Sequence, residues 1–107
     1  MMLNILLLKF GGDKLYVILV YDISVENNGP RRMRRVFKIC KKYLTHIQNS
    51  VFEGELTVAK LNKLKSELSK WIDKDLDSII IFKSRSNKWL IKEFWGMDTS
   101  ADTSNFF

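Results

Sequence analysis

Apolar residues recur along the chain with distinct periods, and each period predicts an element. Leu15 to Ile23, LYVILVYDI, is a continuous apolar, β-branched and aromatic run. A run of that length reads as a strand buried on both faces. The turn formers SVENNGP follow and end in Pro30; proline is tolerated in a helix only in its first turn, so a helix starts there. Within it Met33, Val36, Phe37, Cys40 and Leu44 keep i, i+3, i+4 spacing, which at about 100° per residue makes one apolar stripe fit to pack on a sheet.

Next, His46 to Leu56, HIQNSVFEGEL, alternates imperfectly and meets a turn-prone Glu53-Gly54-Glu55. The pattern allows one long strand or two short ones with a bulge or tight reversal. Thr57 is a candidate N-cap for a second helix whose apolar positions are Leu61, Leu64, Leu68, Trp71 and Ile72, with Lys60, Lys63 and Lys70 facing out. Ser78 to Phe82, SIIIF, reads as another buried strand, and Lys88 to Trp95 alternates as a further one. This order predicts an α+β, ferredoxin-like βαββαβ sandwich with an additional C-terminal strand, two helices lying on one face of an antiparallel sheet. Residues 15–96 form the single domain, 1–14 an N-terminal extension and 97–107 a loose tail. Apolar residues left on the open sheet face predict a homodimer.

Composition changes this picture mainly through charge. A chain of 107 residues supports one modest core, and 46% hydrophobic with 28% charged residues is the balance of a folded protein. Eighteen Lys and Arg against twelve Asp and Glu give +6, which favours a polyanionic partner. Cys40 is the one cysteine and His46 the one histidine, which excludes an internal disulfide, makes a poor start for a zinc site and fits a reducing cytoplasm. The apolar opening Met1 to Leu8 is broken by Lys9, Gly11, Gly12, Asp13 and Lys14, well short of the roughly 20 residues of a membrane span. It also lacks the basic lead and cleavage site of an export signal. No Walker loop, GxGxxG or Ser, His, Asp arrangement is present, so no nucleotide cofactor is expected.

Two clusters carry candidate chemistry. In RRMRRVFKICKK, residues 31 to 42, seven cations occur with no acidic residue. On a helix Arg31, Arg34, Arg35, Lys38, Lys41 and Lys42 fall within about a 120° sector opposite the apolar stripe. A solvated helix face usually mixes signs to avoid i, i+4 repulsion, so this ridge points to phosphate binding that is salt-sensitive and independent of sequence. Lacking interleaved aromatics, it suits a continuous duplex backbone better than stacked single-stranded bases. The second cluster is Asp22 with Tyr21, at the carboxyl end of the first strand. Taken alone, such an Asp is a turn or capping residue and one carboxylate makes a weak magnesium site. Across a twofold axis, two Asp22 side chains could share one Mg²⁺ and its water. His46, Cys40 and the tryptophans Trp71, Trp89 and Trp95 are assigned to packing.

The segments YVILVYDIS, RRMRRVFKICKKY and HIQNSVFEGEL, in this order and spacing, resemble a single family from about Leu15 to about Phe82. It is the smaller of the two universal CRISPR adaptation (spacer acquisition) proteins, a ferredoxin-like dimeric endoribonuclease family. The resemblance implies a homodimer that bridges two dimers of the adaptation integrase and holds duplex prespacer DNA during its insertion into the array. It further implies metal-dependent endonuclease action on RNA or DNA, with Asp22 as the catalytic residue binding Mg²⁺ across the dimer axis. The family's basic helix maps onto Arg31 to Lys42, and its SVF segment maps onto Ser50, Val51 and Phe52 beside the site. Since the family usually begins at its first strand, residues 1–14 read as an extra arm or an upstream start. The family's last strand often pairs with the partner subunit, and Lys88 to Trp95 is the equivalent segment. Three functions stay open: a structural adaptor, a metal-dependent phosphodiesterase, and a toxin-like ribonuclease acting outside CRISPR adaptation.

Overall fold

The first apolar run forms β1 (Lys14–Asp22), which sits in the middle of a sheet because both its edges are paired. The computed structural model describes residues 14–85 together with 93, 95 and 96. After β1 come α1 (Gly29–Tyr43), β2 (Thr45–Gln48), β3 (Val51–Thr57), α2 (Val58–Ser69) and β4 (Ser78–Ser84). The sheet order is β2-β3-β1-β4 with every neighbour antiparallel. That is the α+β ferredoxin-like arrangement: each helix crosses over from one strand to a parallel one, with an antiparallel strand between them.

Local chemistry sets the boundaries. Asn27 and Asn28 both take positive φ, of 51° and 59°, a conformation that asparagine tolerates better than most residues. Gly29 follows because a Cβ there would collide with the Ser24 carbonyl oxygen. Pro30 then lies within the first turn of α1, where its missing N–H costs nothing. At α2 the Thr57 side chain accepts from the Lys60 backbone N–H at 3.2 Å. Thr57→Ala therefore costs about 1 kcal/mol of stability, read as a lowered urea midpoint at unchanged slope.

Three expectations need correction. The reversal falls at Asn49–Ser50, where Asn49 takes φ 43°, while Glu53-Gly54-Glu55 lies inside β3. Gly54 serves close packing instead: a Cβ there would stand 3.1 Å from Leu44 Cδ2. A register shift between His46 and Gln48 also interrupts the β2–β3 pairing, so of the alternatives two short strands with a tight reversal is the one found. Second, α2 ends at Ser69. Trp71 and Ile72 follow in a turn that still bonds to the Leu68 carbonyl and still packs against the core. Third, β1 and β4 are not buried on both faces. Val17, Leu19 and Tyr21 face the helices and are buried, whereas Ile80 and Phe82 are 53% and 56% exposed. Of the strand expected at Lys88 to Trp95, all but Glu93 and Trp95 lie outside the described residues.

The core lies between the helices and one sheet face, built from Val17, Leu19, Phe52 and Leu56 against Val36, Cys40, Leu61, Leu64 and Leu68. Period-2 alternation assigns the opposite face to Tyr16, Ile18, Val20 and Asp22 of β1, Val51, Glu53 and Glu55 of β3, and Ser78, Ile80 and Phe82 of β4. Among the described residues, no helix covers this open face. Its β3 side is polar, with the Tyr16 hydroxyl donating to Glu53. Burial first, then that bond, pushes the Tyr16 phenol up to about 12. Among the described residues, no helix is long and apolar enough to cross a membrane.

Candidate nucleic-acid interface and acidic strand end

The amphipathic period of α1 puts its basic residues outward: Arg31, Arg34, Arg35, Lys38, Lys41 and Lys42 are all exposed. Their surroundings differ. Lys42 pairs with Glu67 of α2, and Tyr43 donates to the same carboxylate. The hydrogen bond from Lys42, then that from Tyr43, holds Glu67 below its usual range. Arg31 and Arg35 place their guanidinium carbons 5.6 and 5.1 Å from the Trp71 ring centroid, and the Lys41 ammonium lies 5.9 Å from Phe37. Contacts of this kind orient long cations without neutralising them.

Arg32, the seventh cation of the run, is 7% exposed and does something else. Its Nε donates to the Asn27 carbonyl at 2.8 Å, Nη2 donates to the Glu26 carbonyl at 2.8 Å, and Nη1 donates to Asp77. Asp77, whose side chain is fully buried, accepts in turn from the backbone N–H groups of Ser24 and Asp73 at 2.9 and 2.8 Å. This buried pair ties the loop after β1 to the start of β4. Sequence reasoning missed the clamp, although Arg32 falls outside the 120° sector and so announces a different neighbourhood.

Asp22 is exposed at the last position of β1, opposite Ser78, on the open sheet face. Tyr21, its neighbour, points the other way. Its ring is buried and stacks on Phe52 with centroids 6.1 Å apart, and burial, then Cys40, pushes its phenol up to about 12. Phe52 is fully buried, and the half-buried Ser50 holds the hairpin turn, its carbonyl accepting from the Tyr21 N–H at 3.2 Å. Tyr21, Ser50 and Phe52 therefore fix the backbone that carries Asp22, while the Tyr21 and Phe52 side chains do not share its face. No group of three or more His, Cys, Asp or Glu side chains able to hold a metal occurs among the described residues.

The class defined by these features is a ferredoxin-like α+β domain with a basic helix in one layer and an open, partly apolar sheet in the other. Residues 15–91 match the sequence model of CRISPR associated protein Cas2, and the chain belongs to that family. It is similar to a protein of Fusobacterium nucleatum named CRISPR-associated endoribonuclease Cas2, 56% identical over 103 residues and 96% of each chain. That overlap takes in most of residues 1–14 as well. A Methanosarcina acetivorans protein of the same name is 44% identical, over 85% of this chain and 98% of its own. Among solved structures, a crystal structure of Cas2 superposes with a TM-score of 0.70 at 40% identity, covering 81% of this chain and 92% of that one. Streptococcus pyogenes Cas2 at pH 6.5 superposes with 0.64 at 32% identity, covering 75% and 99%.

Proposed function

We propose that the protein works in CRISPR adaptation as a homodimer: it holds the backbone of duplex nucleic acid on α1, bridges the adaptation integrase, and cleaves phosphodiesters with magnesium bound at Asp22. The observation that carries this reading is the placement of Asp22 on the same open face as Ile18, Val20, Ile80 and Phe82. A second copy covering that apolar surface brings its own Asp22 to the same interface.

The donor set fits Mg²⁺ only in this paired form. One exposed carboxylate on one chain is a weak ligand; two carboxylates from two copies match an ion that takes hard oxygen ligands and keeps several waters. Bound there, Mg²⁺ would supply charge neutralisation at phosphate and an acidified water. The chain's own residues do the rest: α1 presents cations to the phosphates, and the Arg32–Asp77 clamp fixes the loop that follows Asp22. The endoribonuclease name carried by the relatives from Fusobacterium nucleatum and Methanosarcina acetivorans supports RNA as a substrate besides duplex DNA.

Phe82→Asp tests the dimer. Phe82 is 56% exposed in one copy, so the substitution leaves the monomer's core intact while placing a charge in the proposed interface. Sedimentation velocity of the wild type gives the dimer mass and the variant the monomer mass, with unchanged far-UV dichroism. A monomeric wild type would end the shared-Asp22 reading.

A further inference from the structure

A cleft of about 450 Å³ opens between α1 and the end of α2, within the range of about 300–1,000 Å³ found for small-molecule sites. Four cations line it, Arg35, Lys38, Lys42 and Lys70, against the single carboxylate of Glu67. Glu67 is already engaged by Lys42 and Tyr43. Among the described residues, no carboxylate stands within ion-pairing distance of Arg35, Lys38 or Lys70.

The remaining wall is apolar and aromatic, Ile39 and Trp71. Trp71 is fixed in place by its backbone: its N–H donates to the Leu68 carbonyl at 2.9 Å and its own carbonyl accepts from Arg32 at 3.5 Å. Two guanidinium groups lie against its ring. Flat aromatic and guanidinium surfaces are what unpaired bases stack on, and lysine ammonium groups are what phosphates seek. A duplex keeps its bases stacked inside and has no use for such a wall. An acidic peptide could satisfy the cations but would leave the arginine–tryptophan surface unused.

We propose that this cleft binds one nucleotide, phosphate on Lys38 and Lys70 and base on the Trp71–arginine surface, supplied free in solution or as the unpaired end of a strand. The site shares Arg35, Lys38 and Lys42 with the backbone-binding reading of α1 and rests on it to that extent. Lys70 belongs to the cleft alone, whereas Trp71 also orients Arg31 and Arg35 of α1.

The test uses the full chain carrying Trp89→Phe and Trp95→Phe, which leaves Trp71 as the one tryptophan of the three. Its emission is titrated with AMP, a short single-stranded oligothymidylate, a blunt DNA duplex and polyglutamate. AMP or the single strand quenches Trp71 saturably; quenching by AMP assigns the site to free nucleotide, and quenching by the strand alone assigns it to a strand end. Lys70→Glu, at an exposed position, weakens that binding about tenfold and changes blunt-duplex affinity, measured by anisotropy, by less than about twofold. The proposal is overturned if neither AMP nor the strand quenches Trp71, if Lys70→Glu leaves the quenching unchanged, or if polyglutamate alone produces it. Duplex binding that persists without nucleotide quenching sinks the cleft and leaves the α1 reading standing; loss of both in the unsubstituted cleft sinks both.

Discussion

Asp77→Ala unfolds this domain at markedly lower urea, with a loss of about 3–5 kcal/mol. The loss comes less from the missing attraction than from what remains: Arg32, 7% exposed, stays buried with its direct counterion gone and only the more distant Asp73 carboxylate still acting on it. Two partly buried backbone donors, Ser24 N–H and Asp73 N–H, lose their acceptor in the same step, and each adds a desolvation cost to the extent that water does not reach it. Replacing both partners with apolar residues, Arg32→Met with Asp77→Leu, costs less than the two single changes added together. The pair also sets a pH dependence. Burial, the largest influence on Asp77, raises its pKa, but the bonds from Asp73, Ser24 and Arg32 outweigh it and the net shift is downward. A depressed folded value means the contribution is complete above the ordinary carboxylate value of about 3.9 and is lost as pH falls through the folded value below it. Acid unfolding of the wild type below about pH 4 should therefore be blunted in the double variant. A single Asp77→Ala change that costs under about 1 kcal/mol would show that the clamp contributes little.

If Mg²⁺ is held at paired Asp22 residues as proposed, Asp22→Asn is expected to remove magnesium-dependent cleavage and to spare binding. Residues that merely support a metal ligand cost about 10- to 100-fold when changed, so loss of a ligand itself costs at least about a hundredfold. The amide keeps the shape of the carboxylate and one acceptor oxygen but not the charge. Asp22 is exposed at a strand end, so its replacement leaves the core untouched and the melting temperature close to that of the wild type. The assay is turnover of labelled single-stranded RNA and duplex DNA with Mg²⁺ or with EDTA, at protein concentrations giving equal occupancy. Magnesium-dependent cutting that survives in Asp22→Asn removes Asp22 from the chemistry. Binding without cutting in both proteins leaves the adaptor role alone.

Much of the fold was legible because its elements follow strict periods. The α1 stripe of Val36 and Cys40 and the α2 stripe of Leu61, Leu64 and Leu68 are buried as their spacing predicts, and Thr57 caps α2 as read. What failed was local where backbone conformation, not hydrophobicity, decides. The reversal at Asn49 turns on a residue held at positive φ, while Gly54 looks like a turn former but is there for want of room beside Leu44. The half-open faces of β1 and β4 follow from the two-helix order of the fold and not from the strands themselves: a continuous apolar run is the same pattern whether its second face meets a helix or a second copy. At the site, helical geometry predicted the exposed basic sector and its six members. The distinct role of Arg32 depends on Asp77, forty-five residues away, and no local period reports a contact of that range. Trp71 was read as packing and does pack against the core, but it also lines the basic cleft, because α2 ends sooner than its apolar spacing implied.

The most direct test of the central claim, that the outer face of α1 holds nucleic-acid backbone, is the salt dependence of duplex binding. Anisotropy of a labelled DNA duplex is measured across a salt series for the wild type and for Arg31→Ala/Arg34→Ala/Lys38→Ala. Each phosphate contact contributes a slope of about −0.9 in log K against log salt. The account predicts a steep wild-type slope that becomes shallower by about 2 to 3 in the triple variant, with weaker binding at low salt. Equal slopes and equal affinities for the two proteins would contradict it.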